Sequence, residues 1–192
     1  MPMNSAASSE TDRGRGARFD SSVTTKSRRY PSAAVPAEYG KFRYVIEIKN
    51  SGKLGEKAAD LLYDTLTEYG ILQDVVFGTF NQNVTDYVDE TYPDMLRSSS
   101  ICEVLDFWFA FLTKADLSKR GVGYCALQIP YSKTISFLGN RELIEYAHSY
   151  NIAVQYWTIN EADDVEYLQS IGADCIMSDS PDMCYDILRG GE

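Results

Sequence analysis

The stretch that decides the fold is 147–160, AHSYNIAVQYWTIN. Its first residues complete a helical pattern over Glu142–Tyr150, and Ala153–Ile159 is an apolar, β-branched and aromatic run that predicts a buried strand. Two polar residues, Thr158 and Asn160, stand at the carboxyl end of this strand. The same order, a helix that leads into a strand ending in polar side chains, recurs on both sides of the stretch.

Regular patterns begin at Tyr39. The predicted strands are Phe42–Ile48, Asp74–Phe80, Met95–Ser100, Gly123–Ile129 (ended by Pro130), Ala153–Ile159 and Asp174–Ser178. The predicted helices are Ala58–Tyr69, Val84–Glu90, Ile101–Leu117, Glu142–Tyr150, Asp163–Ile171 and Pro181–Leu188. Helical segments of about 8–15 residues between strands indicate five or six βα units and a parallel sheet. The chain has no Gly-x-Gly-x-x-Gly motif, so nothing favours a dinucleotide-binding fold.

Polar residues cluster where the predicted strands end. They are Glu47, Lys49, Thr79, Asn81, Gln128, Thr158, Asn160, Ser178 and Asp179. In barrels built from βα units, the carboxyl ends of the strands form the mouth of the active site. We therefore expect a site assembled from several strand ends.

Charge and histidine content narrow the function classes. The 192 residues carry a formal net charge of −10, which disfavours general binding to nucleic-acid phosphates. His148 is the single histidine, and this count argues against most zinc sites and against two-histidine catalysis by this chain alone. Because His148 falls within a predicted helix and away from any strand end, we expect it to be exposed to solvent.

Cysteine spacing and hydropathy bear on the compartment. The four cysteines, Cys102, Cys125, Cys175 and Cys184, form no C-x-x-C pair, which favours reduced thiols. The first forty residues contain no run typical of a signal peptide. The longest apolar run, Val104–Leu112, is interrupted by Asp106 and is too short for a transmembrane segment. We expect a soluble, cytoplasmic protein.

The composition changes near residue 39. Residues 1–38 hold six Lys or Arg against four Asp or Glu, whereas residues 39–192 hold 12 against 24. The first segment shows neither a helical nor a strand period, so we expect 1–38 to be disordered or unrelated to the remainder. Its arginines could contact phosphates or acidic lipids, but we favour a solvated tail. The predicted domain is 39–188, followed by a tail at 189–192.

Four short motifs together resemble a known family. They are Glu-Ile-Lys (47–49), Gly-Thr-Phe-Asn (78–81), Trp-Thr-Ile-Asn (157–160) and Ser-Asp-Ser-Pro (178–181). In this order and spacing they resemble the C-terminal part of the glycerophosphodiester phosphodiesterase domain, over about Tyr39 to Leu188. The segment 147–160 is also similar, with Asn151 standing where the family has a glycine, and asparagine tolerates the same left-handed backbone.

The resemblance implies a (β/α)₈ barrel, but the motifs that the family carries on its first strands are missing. These are His-Arg-Gly, Glu-x-Asp and a His-Asp pair, and none of them lies on a predicted strand here; the Glu-x-Asp tripeptides at 10–12 and 161–163 fall outside the predicted strands. Such a barrel takes about 250 residues, more than 39–188 supplies. We therefore expect an α/β fold, a partial TIM barrel whose N-terminal units are missing, from a truncated or frame-disrupted gene product.

The resemblance also implies roles for individual residues. Glu47 would be a ligand of a divalent cation, Ca²⁺ or Mg²⁺, and Lys49 would face the phosphate; the alternative is a structural Glu–Lys ion pair, buried at the strand end. Phe80 and Trp157 would be aromatic walls of the mouth, or else core residues. Further substrate contacts would come from Asn81, Gln128 and Asn160, which loop capping explains nearly as well. Asp179 is typical of a turn or a helix N-terminus.

The implied reaction, a step of lipid metabolism, is hydrolysis of a glycerophosphodiester to an alcohol and glycerol 3-phosphate. With one metal-ligating carboxylate and neither family histidine, we expect weak or absent metal binding and negligible hydrolysis. Two alternatives remain, an interaction module that completes a barrel with a partner chain and a non-functional product of a disrupted reading frame. Exposed strand edges could also cause self-association. The helix at 101–112 is apolar nearly all round, so either neighbouring helices cover it or it forms a partner surface.

Overall fold

The computed structural model describes residues 22–25 and 43–189, with side chains described from 43 onward. The strands are β1 (Ser22–Thr25), β2 (Tyr44–Glu47), β3 (Val75–Gly78), β4 (Ala126–Pro130), β5 (Ala153–Trp157) and β6 (Cys175–Ser178). The helices are α1 (Gly52–Glu68), α2 (Gln82–Thr91), α3 (Ile101–Thr113), α4 (Arg141–His148), α5 (Ala162–Ile171) and α6 (Pro181–Arg189). Short 3₁₀ turns lie at 72–74, 117–119 and 133–138.

Every strand pairing is parallel. One sheet has the order β1-β6-β5-β4, and a second contains β2 and β3. Two single bridges, Phe77 with Arg97 and Ser98 with Ala126, join the second sheet to the first. The spatial order is therefore β2, β3, the bridging residues 97 and 98, β4, β5, β6 and β1. A helix follows each of the first six of these positions along the chain. In the described part of the chain, β2 does not pair with β1. This arrangement confirms the predicted α/β fold and partial barrel without closure.

Strand β1 was not predicted. Its backbone pairs with β6 in parallel, from Ser22 beside Cys175 to Thr25 beside Ser178. The four residues SVTT include three with β-branched side chains, which favour a strand. Their partner lies about 150 residues away, and local periodicity cannot reveal so distant a partner. The rest of the segment 1–38 and the tail residues 190–192 lie outside the described residues, so the proposed boundaries remain predictions.

Two faces of the sheet are apolar in different ways. Outside the barrel, Phe77 packs with Val84 of α2 and Leu66 of α1 in one buried cluster. Toward the inside, small side chains meet across the strands, namely Val76, Ala126 and Ala153. This alternation follows from the period of two in a strand, and it leaves a narrow interior that small residues fill.

Several predicted boundaries shift for local reasons. Residues 95–100 form two bridges rather than a strand, because Ser100 already begins α3 with a capping box that includes Glu103. Helix α3 ends at Thr113 instead of Leu117, since Lys114 adopts a left-handed backbone with φ of 52°. Pro130 does not stop its strand but is the last residue of β4, opposite Trp157. Asn151 has φ of 58°, as its glycine-like position predicts.

Helix α3 is covered on one side only. Phe107 and Ala110 are buried against the main core, whereas Ile101, Leu105, Phe109 and Leu112 each leave more than half of their surface exposed. Neighbouring elements thus cover one face of this helix, while the other face is exposed and its use as a partner surface stays a prediction. Among the described helices, none is long and apolar enough to cross a membrane.

The buried guanidinium of Arg97 links α2 to α3. Arg97 is 4% exposed; its Nε lies 2.5 Å from Asp89 Oδ1 on α2, and its Nη1 lies 2.8 Å from Glu103 Oε2 on α3. Burial of Arg97 opposes its charge, but the hydrogen bonds that it donates to Glu103 and Asp89 outweigh this effect and raise its pKa. Burial would likewise raise the pKa of Glu103, yet the hydrogen bond from Arg97 lowers it overall.

Replacing Arg97 should destabilise the fold far more than replacing an exposed arginine. Arg97→Ala leaves two carboxylates facing each other without a cation, so we expect a loss of about 2–4 kcal/mol in the free energy of unfolding. The matched control is Arg120→Ala, because Arg120 forms an ion pair with Asp106 in which both side chains are more than half exposed. This variant should lose no more than about 1 kcal/mol. Urea unfolding measures both, and equal losses would contradict the role of Arg97.

Candidate functional site

The carboxyl ends of the parallel strands lie at one edge of the partial barrel. They carry Glu47 and Lys49 after β2, Phe80 and Asn81 after β3, and Asn160 after β5. Hydrogen bonds and ring contacts connect these ends into two neighbouring groups. One group joins β2 to β3 and reaches Trp157, and the other joins β5 to β6.

Glu47 and Lys49 form an ion pair with 3.6 Å between Glu47 Oε2 and Lys49 Nζ. Their side chains are 34% and 69% exposed, so the expectation of a buried pair was wrong. The physical reason is the position of β2, which pairs with β3 on one side and has no described strand on the other. The pair is therefore screened by water, and both side chains are accessible to solvent.

The described residues do not fit a divalent cation. Within 43–189, no group of three or more His, Cys, Asp and Glu side chains is placed to hold a metal ion. Glu47 instead has the ammonium group of Lys49 as its neighbour. Calcium and magnesium take six or more oxygen ligands, of which a single carboxylate beside a cation supplies too few. The predicted role of Glu47 as a metal ligand thus has no support from its surroundings.

The two aromatic residues predicted as walls are in contact. The ring centroids of Phe80 and Trp157 are 5.6 Å apart at an interplanar angle of 61°, an edge-to-face arrangement. Phe80 is 55% exposed and therefore is not a core residue, while Trp157 is partly buried. Because Phe80 follows β3 and Trp157 ends β5, their contact spans the intervening β4 and gives the mouth an apolar surface.

Asn81 connects two strand ends through its side chain. Its Nδ2 donates to the carbonyl oxygens of Lys49 and Asn50, both at 3.3 Å. Its own carbonyl oxygen accepts from the backbone of Val84 and Thr85, so Asn81 also begins α2. These contacts correspond to the loop-capping alternative, and they fix the main chain beside the Glu47–Lys49 pair.

The side chain of Asn160 likewise connects the ends of β5 and β6. Its Oδ1 accepts from the Asp179 amide at 2.9 Å and from the Ser178 hydroxyl at 3.1 Å. Its Nδ2 approaches Asp179 Oδ2 at 3.4 Å. Asp179 lies in the turn before α6, the location that its sequence context predicts.

The floor of the mouth is a pair of glutamines. Gln128 Nε2 donates to Gln155 Oε1 at 3.0 Å, and Gln155 is 1% exposed. A Cβ atom on Gly78 would lie 2.8 Å from Gln128 Oε1 and 3.1 Å from Ser98 Oγ, so only glycine fits there without a shift. Gln155 and Ser98 were not among the predicted site residues. Gln155 lies two residues before Trp157 and therefore on the same face of the strand, and this spacing could have identified it from the sequence.

His148 does not join this site. Its Nε2 lies 2.8 Å from Asp174 Oδ2, which also accepts from the Val154 amide, and Asp174 comes just before β6. His148 is thus near the amino ends of the strands, opposite the mouth. Its side chain is 43% exposed, in agreement with the prediction of solvent exposure.

Removing the side chain of Asn160 should loosen the join between β5 and β6. Asn160→Ala deletes the acceptor for two hydrogen bonds, and we expect the free energy of unfolding to fall by about 1–2 kcal/mol. Asn83→Ala on the exposed surface of α2 is the control, with a change within about 0.5 kcal/mol. Thermal unfolding of both variants makes the comparison. An Asn160 variant as stable as the control would show that the cross-link contributes nothing.

Solved structures with a similar fold are glycerophosphodiester phosphodiesterases by their descriptions. The enzyme from Parabacteroides distasonis aligns with a TM-score of 0.58 and 16% identity, over 81% of this chain and 63% of its own. A phosphodiesterase from Oleispira antarctica, solved with the product sn-glycerol-3-phosphate, aligns with a TM-score of 0.55 and 19% identity, over 79% and 57%. The enzyme from Agrobacterium tumefaciens gives 0.55 and 15%, over 77% and 57%. The chain thus spans less than two thirds of the length of these relatives.

The sequence itself carries the family pattern. No curated protein sequence matches the chain significantly. The sequence model of the glycerophosphoryl diester phosphodiesterase family, however, matches residues 37–183, more than three quarters of the chain. This range contains the four motifs and both groups of strand-end contacts. The chain belongs to the glycerophosphoryl diester phosphodiesterase family.

Proposed function

We propose that the chain binds the phosphate and glycerol part of a glycerophosphodiester at this mouth and hydrolyses it very slowly or not at all by itself. The observation that carries the proposal is the series of contacts from Lys49 through Asn81 and Phe80 to Trp157. In support of the proposal, the backbone of Lys49, whose side chain is 69% exposed, is tied to Asn81, the chain neighbour of the exposed Phe80 ring. A phosphodiester with an attached glycerol offers the complementary negative charge and apolar carbon atoms.

The proposed recognition uses the chain's own groups. The ammonium group of Lys49 supplies charge-assisted hydrogen bonds to phosphate oxygens. The backbone tie from Asn81 to Lys49 and Asn50 limits how far this cation can move from the aromatic pair. Phe80 offers an exposed ring to the glycerol carbons, and Gln128 an amide oxygen beside Gly78. Binding of the phosphate does not require Glu47, whose carboxylate repels an anion.

Hydrolysis needs groups that the described mouth does not supply. Water must lose a proton as it attacks phosphorus, and the departing alcohol oxygen must gain one as its bond to phosphorus breaks. Each assisted proton transfer contributes about 10²–10⁴-fold to the rate. The chain's single histidine lies at the opposite edge of the strands, paired with Asp174. We therefore propose an impaired phosphodiesterase of lipid metabolism, with a cytoplasmic location.

The strand order favours a second candidate function. In the described part of the chain, β2 pairs with β3 and β1 with β6, and no described strand lies along the other side of either. A partner chain that supplies the missing motifs on additional strands could complete the barrel there. In that case the chain is one part of an active two-chain phosphodiesterase.

Turnover is tested with purified chain on glycerophosphocholine and glycerophosphoethanolamine, with Ca²⁺ or Mg²⁺ and then with chelator. We expect no release of alcohol above background, and no difference between the wild type and Glu47→Ala. Metal-dependent turnover that Glu47→Ala abolishes would refute the proposed impairment. Turnover that appears only after adding a second chain with His-Arg-Gly and Glu-x-Asp would select the two-chain alternative.

Binding is tested separately with glycerol 3-phosphate, by NMR titration of the same chain. Lys49→Ala removes the cation and should weaken binding about 10-fold or more, the usual loss for a charge-assisted hydrogen bond. The matched control is Lys53→Ala, an exposed lysine of α1 whose loss should change the affinity less than about 2-fold. If the folded wild type shows no binding, the recognition proposal fails and a non-functional product becomes the better description.

A further inference from the structure

The outer side of α3 is a large exposed apolar surface that the mouth does not use. Ile101, Leu105, Phe109 and Leu112 are 56%, 54%, 60% and 54% exposed. The Trp108 ring lies 5.5 Å from the rings of both Phe109 and Phe137, and Phe137 is 54% exposed. Trp108 itself is partly buried and also packs against the main core. These six residues, Ile101, Leu105, Trp108, Phe109, Leu112 and Phe137, are termed the α3 apolar face.

The spacing along this face is that of a helix-pairing seam. Ile101, Leu105, Trp108 and Leu112 are separated by four, three and four residues, the heptad spacing that brings side chains to one side of a helix. The seam is about 16 Å long at 1.5 Å per residue. The charged residues within 101–112 are Glu103, which pairs with Arg97, and Asp106, which pairs with Arg120. Each charged side chain along this seam is therefore paired with an arginine.

We propose that the α3 apolar face binds the same face of a second copy of this chain, with the two α3 helices packed across a twofold axis. A heptad seam supplies both the protruding side chains and the spaces between them, so two identical seams are complementary. Monomers normally expose apolar side chains singly, and a contiguous face at the upper end of the monomer range of about 300–600 Å² is typical of an interaction surface.

The exposed area suits a dimer of modest affinity. The six side chains leave on the order of 500–600 Å² per copy, so two copies would bury roughly 1,000–1,200 Å², the lower end of the range for specific interfaces. We therefore expect dissociation on the order of micromolar concentrations. This surface is distinct from the strand edges, and its use requires neither substrate nor catalysis.

Sedimentation velocity of the full chain from about 1 to 200 µM tests the proposal across that affinity range. The wild type should pass from monomer to dimer, whereas Leu105→Glu and Phe109→Glu should each weaken dimerisation at least about 10-fold. Leu61→Glu is the control, because Leu61 is 61% exposed on α1, and it should dimerise like the wild type. Circular dichroism and urea unfolding establish that each variant is folded.

Three results would overturn the proposal. They are a folded wild type that stays monomeric throughout, a dimer that Leu105→Glu and Phe109→Glu leave unchanged, and larger assemblies that all variants form equally. The last result would assign association to the strand edges. A monomer that cosediments with phosphatidylcholine vesicles, and loses this property in Phe109→Glu, would identify a lipid surface as the occupant instead.

Discussion

The fold depends on the join at residues 97 and 98. Two single bridges at this point connect the β2–β3 sheet to the sheet that contains β4, β5, β6 and β1. So short a backbone join would leave the two sheets weakly attached, but the Arg97 side chain adds a buried cation that holds α2 and α3 together behind them. The ion pairs link α2 to α3, and we infer that the linked helices hold the two sheets side by side.

The geometry of the mouth depends on this join at residues 97 and 98. Phe80 belongs to one sheet and Trp157 to the other, so their ring contact exists only while the sheets remain adjacent. Within each sheet, an asparagine ties neighbouring strand ends, Asn81 on one side and Asn160 on the other. The asparagines that tie the strand ends and the exposed ring of Phe80 are therefore different residues at the same edge of the partial barrel.

Much of this could be predicted from sequence, and the exceptions have physical causes. Periodicity locates the strands and helices after residue 39, because local burial repeats every two residues in a strand and every three to four in a helix. It cannot locate β1, which depends on a distant partner, nor the exposure of Glu47, which depends on what lies beyond β2. Periodicity also cannot predict the burial of the Arg97 guanidinium, since its partners come from two helices.

The pairing of His148 with Asp174 has a practical value. The chain has one imidazole, so its ring protons give one set of signals in a proton NMR spectrum. That ring is anchored to a carboxylate that also accepts from the first residues of β5, at the far edge from the mouth. Its chemical shift should therefore report whether the amino edge of the sheet is intact, and we expect a ligand at the opposite edge to leave this shift unchanged. The His148 signal thus serves as an internal reference that distinguishes unfolding of the amino edge from ligand binding at the mouth.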